Sequence, residues 1–205
     1  MCSRFAFFRW DSAFAALPGF PAEQAPHWSL APGARVLLVR SAEGARRVDD
    51  VRWGLTPAWL NDLSRTPAQA RAETLSEQAM FREPFRLRRG LLPANGFYEW
   101  RGQQRKRPYW MTGVDSVLYF AALWEAYPAG DRVYLSTAVV TTQVASQRRP
   151  LILDEQAQAV WLDPQSTPER LESLLRAPVV GLRERPLATL VNDPALDAPE
   201  CLTPA

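Results

Sequence analysis

Cysteine, histidine and lysine are almost absent from this chain of 205 residues. The two cysteines, Cys2 and Cys201, stand at opposite ends and do not make a disulfide framework, so a reducing cytoplasm is the expected compartment. His27, the only histidine, lies in a loop predicted over residues 26–32, where we expect no catalytic role. Because arginine stays protonated and forms no Schiff base, Lys106 and the N-terminus are the amines available to a carbonyl group.

Long apolar runs are also missing. A membrane-spanning helix needs about 18 or more consecutive apolar residues, and no such run exists. No basic segment followed by an apolar one opens the chain as a secretion signal would. The length and the hydrophobic content of 47% suit one globular domain over residues 1–205.

The net charge of +2 conceals an uneven distribution of charge along the chain. Residues 82–107 carry eight basic and two acidic side chains, whereas residues 151–205 carry four basic and nine acidic ones. A basic segment interleaved with aromatic residues suits a nucleic-acid backbone. A solvated, arginine-rich face is the alternative interpretation.

Hydrophobic periodicity and turn signals predict many strands and a few short helices. Strands are expected over residues 2–9, 34–41, 48–55, 90–93, 97–101, 107–113, 116–125, 133–140 and 150–153. Helices are expected over residues 57–61, from Thr74 to just before Pro84, and after Thr167 with Pro168 in the first position. The pattern favours an α+β fold with a curved, mainly antiparallel sheet or barrel and short flanking helices.

Residues 91–100 place a carboxylate among large apolar side chains. On a strand, Phe97 and Glu99 share one face, while Tyr98 and Trp100 share the other. Burial raises the pKa of a carboxyl group unless the group is paired. Glu99 is therefore either a strand residue paired with an arginine or an acid/base group with a raised pKa.

Cys2 offers a second reactive group. Removal of Met1 would leave a free α-amine and a thiol on adjacent carbons, with reference pKa values of about 7.7–8.0 and 8.5, so that both are partly nucleophilic near neutral pH. Such an aminothiol condenses with an aldehyde to an imine and then closes to a thiazolidine ring. An accidental cysteine at position 2 is the alternative.

Several segments in a fixed order carry a resemblance to a known family. They are Cys2, Arg-Trp-Gly-Leu-Thr-Pro-Ala-Trp at 52–59, Ala-Arg-Ala-Glu-Thr at 70–74, Leu-Pro-Ala-Asn-Gly-Phe-Tyr-Glu-Trp at 92–100, Arg-Arg-Pro-Leu-Ile-Leu at 148–153 and Val-Asn-Asp at 191–193. In these the chain resembles the SRAP (SOS response-associated peptidase) family over almost its whole length. The resemblance implies the same α+β architecture, with Cys2 facing a cleft on the sheet.

The resemblance also implies a function in the DNA-damage response. An abasic deoxyribose opens to an aldehyde, which the N-terminal cysteine traps as a thiazolidine, linking protein to single-stranded DNA. Cys2 would be the nucleophile and Glu99 the proton shuttle. The implied DNA contacts are Arg4, Arg71, Arg148, Arg149, Trp53, Trp100 and Pro32, with core packing as the alternative for both tryptophans. No metal or cofactor is implied, and the expected partner is single-stranded DNA with an abasic site, bound by a monomer.

Three positions depart from the family pattern. Gln69 stands where asparagine is usual, Ser146 where histidine is usual, and Ser29 where asparagine is usual in a loop that contacts DNA. Gln69 and Ser146 thus occupy the remaining positions of the predicted catalytic set. Serine cannot act as an acid or base near pH 7 as imidazole does. Because thiazolidines form without an enzyme, we expect slower crosslinking but not its loss.

Two other functions fit the same residues. The first is an N-terminal-nucleophile peptidase or amidohydrolase, in which the α-amine of Cys2 serves as the base. No evident oxyanion-hole motif supports it. The second is a single-strand binder without covalent chemistry, whose changes at Gln69 and Ser146 mark the loss of crosslinking.

Overall fold

The computed structural model describes residues 3–102, 106–113, 117–176 and 181–205. In this part of the chain, strands and short α-helices follow one another along the sequence. The strands are β1 (Phe5–Phe7), β2 (His27–Leu30), β3 (Arg35–Ala42), β4 (Ala45–Trp53), β5 (Gln69–Arg71), β6 (Arg89–Ala94), β7 (Gly96–Arg101), β8 (Arg107–Thr112), β9 (Leu118–Ala129), β10 (Arg132–Val144), β11 (Gln147–Pro150) and β12 (Arg183–Pro186). The helices are α1 (Ser12–Ala15), α2 (Ala79–Leu87), α3 (Glu155–Leu162) and α4 (Pro168–Leu175).

Five strands close into a barrel. β3 pairs with β4 and β6, β9 pairs with β6 and β10, and β4 returns to β10. Every pair in this ring is antiparallel except β4 with β10. β5 and β11 add to β10. The expected α+β fold with a curved, mainly antiparallel barrel is confirmed.

A second sheet runs in the order β12, β8, β7, β1 and β2. β7 lies at its centre, with Phe5 opposite Phe97 on one side and Tyr109 opposite Glu99 on the other. Phe97 points into the main core, whereas Tyr98 belongs to a smaller core on the other face, together with Cys201. The predicted alternation of side chains along β7 is therefore confirmed.

Large aromatic side chains fill the barrel, and their polar atoms are satisfied. The indole nitrogen of Trp53 donates to the Ala68 carbonyl at 2.7 Å, and that of Trp161 donates to the Gly90 carbonyl at 2.9 Å. Burying an indole without such a partner would cost free energy. Both indoles are thus buried with their nitrogen atoms hydrogen-bonded.

Two of the three predicted helices need correction. Residues 57–61 form a turn in which the Leu60 amide donates to the Pro57 carbonyl, and the Thr56 hydroxyl donates back to Gly54 and does not cap a helix. The second helix begins later than predicted, at Ala79, and continues through Pro84. The third is confirmed, with Thr167 accepting a hydrogen bond from the Arg170 amide as N-cap.

Residues 26–32, expected to be a loop, contain the strand β2. Its position is secured from a distance, because the Asp197 carboxylate accepts hydrogen bonds from the Trp28 and Ser29 amides and contacts the His27 ring at 2.8 Å. His27 thus has a structural partner near the end of the chain. Within the described ranges, no helix has the length and apolar character needed to cross a membrane.

Candidate active site and nucleic-acid interface

Cys2, the predicted nucleophile, lies outside the described residues, so the site is built from its neighbours. The Tyr98 amide donates to the Arg4 carbonyl at 3.0 Å, and Phe5 pairs with Phe97. The first described residues therefore run antiparallel to β7. Because the two segments are antiparallel, the chain that precedes Phe5 runs alongside β7 from Phe97 towards Glu99.

Glu99 is held at the boundary between the barrel and the second sheet. Only 4% of its side chain is exposed. Arg149, on β11, donates from Nε to Oε1 at 2.6 Å and from Nη2 to Oε2 at 3.2 Å. This two-point geometry is the strong form of a carboxylate–guanidinium pair.

A second arginine binds the same carboxylate. Arg101 donates to Glu99 Oε2 from Nη2 at 2.7 Å and from Nε at 3.1 Å. Its Nη1 donates to Glu184 at 2.9 Å, and its guanidinium lies 4.7 Å from the centre of the Tyr109 ring. Arg101 therefore joins a buried carboxylate to an exposed one.

These two arginines reverse the effect of burial on Glu99. Burial raises the pKa of the carboxyl group, but the hydrogen bonds and positive charges of Arg149 and Arg101 outweigh it, so the pKa lies below its ordinary value. The raised pKa considered from the sequence is wrong, and the alternative of a paired strand glutamate holds. Glu99 is a carboxylate at neutral pH.

Arg148 precedes Arg149 on β11 and makes a separate contact. Its Nη1 donates to Glu73 at 3.0 Å and to the Thr141 carbonyl at 3.0 Å. Burial raises the pKa of Glu73, but hydrogen bonds from Arg148 and the backbone outweigh it and keep the pKa low. Neighbouring arginines of one strand are thus both paired with carboxylates.

β10 brings the Ala-Arg-Ala-Glu-Thr segment next to these arginines. Arg71 on β5 stands opposite Thr141, and Arg149 on β11 stands opposite Thr142. Arg71 is exposed, and among the described residues its guanidinium makes no ion pair. Gln69 begins the same strand and is half-buried. An exposed cation beside paired ones is available to a phosphate.

Ser146 occupies the tight turn between β10 and β11. It is exposed, and the preceding Ala145 has a positive φ of 50°. The structure therefore places Ser146 at the surface, two residues from Arg148. A serine hydroxyl does not ionise near pH 7, so it cannot replace the imidazole of histidine as an acid or base.

The two tryptophans differ from each other in position. Trp53 is completely buried against Phe5, with 5.1 Å between ring centres, so a DNA-stacking role for Trp53 is wrong and core packing holds. Trp100 is half-buried, with the Arg4 guanidinium 5.3 Å from its ring centre and its Nε1 donating to Asn192 at 2.7 Å. Arg4 also donates to the Val191 carbonyl.

Trp100 and Glu99 point to opposite faces of β7, because neighbouring side chains on a strand alternate. Arg4 and Trp100 therefore lie against the C-terminal segment and away from the Glu99–Arg149 pair. Pro32 is exposed in the connection from β2 to β3. The structure thus brings Glu99 and Arg149 into contact, places Arg148 and Arg71 on the two strands that flank β10, and leaves Arg4 and Trp100 on the other face of β7.

Three residues of the site, Arg101, Glu73 and Glu184, were not predicted from the sequence. Arg101 had a readable signal, because a residue two positions after Glu99 shares its face on a strand. Glu73 lies inside a family motif, but its partner Arg148 is 75 residues away. Glu184 had no local signal at all.

Comparison with known proteins supports the resemblance. A profile of the SOS response associated peptidase (SRAP) family matches residues 1–194. The abasic site processing protein YoqW of Bacillus subtilis is 32% identical over 88% of this chain and 87% of its own length. The abasic site processing protein YoaM of the same organism is 30% identical over 98% of this chain and 97% of its own.

The fold has counterparts among solved structures. A protein from Bacteroides thetaiotaomicron superposes with a TM-score of 0.87 over the whole of both chains. At 19% identity, this likeness concerns the fold alone.

Proposed function

Since the chain belongs to the SRAP family, we propose that it captures abasic sites in single-stranded DNA through Cys2. The observation that carries the proposal is the buried Glu99 carboxylate. Two guanidinium groups hold this carboxylate, and Glu99 itself lies on the strand that pairs with the N-terminal segment. Cys2 precedes Arg4 by two positions, and Arg4 is bonded to that same strand.

The chemistry requires proton transfers but neither oxidant nor metal. After removal of Met1, the α-amine of Cys2 adds to the C1′ aldehyde of the opened deoxyribose, and loss of one water gives an imine. The Cys2 sulfur then adds to the imine carbon, while the thiol proton ends on the nitrogen. The product is a thiazolidine, and the balance is one water released for each link.

Glu99 acts first as a base in this scheme. Its low pKa leaves it ionised, so it accepts a proton from the α-ammonium of Cys2 and frees the amine lone pair. The same carboxyl then returns the proton to the departing hydroxyl. General acid–base assistance of this kind contributes roughly 10²–10⁴-fold.

Arginine side chains supply the contacts to the strand backbone. Arg71 is exposed and free of ion pairs within the described part of the chain. Arg148 and Arg149 both lie on β11, which pairs with β10 as the strand of Arg71 does. A phosphate that binds Arg148 competes with Glu73 for its guanidinium. Binding to DNA is therefore expected to be electrostatic and to weaken with salt.

Intact mass spectrometry tests the proposal. Protein lacking Met1 is mixed with a single-stranded oligonucleotide carrying one abasic site, and the expected product has the summed mass less one water. Cys2→Ala should give no adduct, and Glu99→Gln should give the adduct more slowly. An intact oligonucleotide of the same sequence serves as the control.

The other outcomes identify the competing functions. Binding without adduct from fully processed protein would overturn covalent capture and leave a single-strand binder. Release of an amine from a peptide or glutamine-like substrate, lost in Cys2→Ala, would identify an N-terminal-nucleophile hydrolase.

A further inference from the structure

Glu184 ends a row of four alternating charges that crosses the site. Arg149 binds Glu99 at 2.6 Å, Arg101 binds Glu99 at 2.7 Å, and Arg101 also binds Glu184 at 2.9 Å. The row runs from the barrel into the second sheet. Its inner carboxylate is 4% exposed, while Glu184 is 53% exposed.

The fold holds Glu184 in this position. β12 pairs with β8 so that Glu184 stands opposite Met111, and Met111 stands opposite Phe97 on β7. Glu184 therefore lies on the face of the sheet that carries Glu99. Arg101 is held between the two carboxylates by the Tyr109 ring and by the Met111 sulfur, which lies 3.5 Å from Nη2.

We propose that Glu184 is a positioning residue, which binds Arg101 so that its guanidinium is shared between two carboxylates. Glu184 thereby sets how readily Glu99 takes a proton and how strongly the site attracts phosphate. This inference rests on the proposed function, in which Glu99 transfers protons. No role for Glu184 follows from the family motifs in the sequence, because β12 contains none of them.

The charges around Glu99 explain why one exposed carboxylate has this effect. Within the described residues, Arg149 faces Glu99 from β11 and Arg101 faces it from β7, while β8 contributes Met111 and the Tyr109 ring. Two cations and two carboxylates balance. Without the Glu184 charge, Arg101 is neutralised by Glu99 alone, and the site carries an excess positive charge.

The excess positive charge should weaken the chemistry at Glu99 and strengthen the binding of DNA. Glu99 loses proton affinity and becomes a weaker base, so capture slows. Phosphate binds more tightly, because a cation is no longer shared with an internal anion. Glu184 thus favours chemistry at Glu99 over general affinity for DNA.

The substitution Glu184→Gln tests this role of Glu184, with Glu172→Gln as the matched control. Glu172 on α4 is also a glutamate paired with an arginine, Arg176 at the C-cap of that helix, and 41% of its side chain is exposed, but it lies outside the row of charges. The titration of Glu99 is followed by carbon-13 NMR of its carboxyl group, which is assigned with Glu99→Gln. Binding to an intact single-stranded oligonucleotide and adduct formation with the abasic one are measured in parallel.

In Glu184→Gln, Glu99 should titrate at lower pH than in the parent protein. Affinity for the intact oligonucleotide should rise about two- to fivefold at low salt, the range of an exposed charge pair, and the gain should fade at high salt. Adduct formation should slow. Glu172→Gln should match the parent in all three measurements.

An unchanged Glu99 titration in Glu184→Gln, or weaker binding to DNA, would overturn the inference, because a purely structural loss lowers binding and capture together. The two proposals fail separately. If the parent protein gives no adduct, covalent capture is wrong, while the titration and the binding measurement still decide the role of Glu184.

Discussion

The Nε atom of Arg149 lies 2.6 Å from the Glu99 carboxylate, although the two residues are 50 positions apart in the chain. Arg149 lies on β11, which pairs with the barrel strand β10, and Glu99 lies on β7 of the second sheet. The ion pair therefore joins the two sheets at the place where the N-terminal segment enters. Its geometry decides the protonation state of the residue on which the proposed chemistry depends.

Removing this arginine should raise the pKa of Glu99. In Arg149→Gln the carboxyl stays buried but keeps only Arg101 as a cationic partner, so the raising effect of burial is less opposed. Carboxyl NMR titration should show Glu99 protonating at higher pH than in the parent protein. An equal or lower titration pH would show that Arg149 does not set the charge of Glu99.

The same substitution should lower the free energy of unfolding by about 1–3 kcal/mol at pH 7, because it leaves a buried carboxylate less well paired. A carboxyl group whose pKa is lowered by folding stabilises the fold at pH values above its unfolded-state pKa of about 4.3. That stabilisation is lost as the pH falls through the folded-state pKa. The difference between parent and variant should therefore shrink below about pH 4 in urea unfolding experiments.

Salt dependence should identify the arginines that contact phosphate. Each phosphate contact adds about 0.7 to the slope of log affinity against log salt for a single strand. Arg71→Ala should reduce that slope by about this amount, since Arg71 is exposed and has no ion pair among the described residues. Arg170→Ala, an exposed arginine on α4, should leave it unchanged. Equal slopes in all three proteins would remove Arg71 from the interface.

The two tryptophans of the Trp-Gly-Leu-Thr-Pro-Ala-Trp segment should respond differently to truncation. Trp53 is completely buried, so Trp53→Ala should cost about 3–5 kcal/mol of stability. Trp59 is 59% exposed, and Trp59→Ala should change stability by less than about 0.5 kcal/mol. Denaturant unfolding of both variants checks this contrast, and a similar loss in both would contradict the burial assigned to Trp53.

Gly96 should not tolerate a methyl group. Gly96 begins β7, the strand that carries Glu99, and a Cβ atom there would fall against the Trp110 ring and 2.5 Å from the Met111 carbonyl oxygen. Gly96→Ala should therefore lower stability by about 1–3 kcal/mol. Gly181→Ala, where no atom of the described residues lies within 4 Å of the added atom, is the matched control. Thermal unfolding of both proteins compares the two sites, and equal melting temperatures would contradict the close packing at Gly96.

Local pattern predicted much of the architecture. Alternation along residues 97–100 was enough to separate the faces of Phe97 and Tyr98, and the Thr-Pro pair was enough to start α4. These signals succeed because strand alternation and helix capping depend on residues close in sequence. The helix predicted over residues 57–61 is instead a turn, because Thr56 forms hydrogen bonds to Ser136 and Gly54 and does not cap a helix.

From its sequence alone, this protein shows a strand-rich α+β fold and membership of the SRAP family. The sequence also predicts that Cys2 and the carboxylate of Glu99 act together, which remains a proposal. Only the tertiary structure decided that Glu99 is ionised, that Trp53 is core, and that Glu73 and Glu184 pair with arginines of the site. The reason is the range of the interactions: a pKa depends on charges brought within about 3 Å by the register of separate strands. Burial likewise depends on how two sheets meet, which no segment of sequence contains by itself.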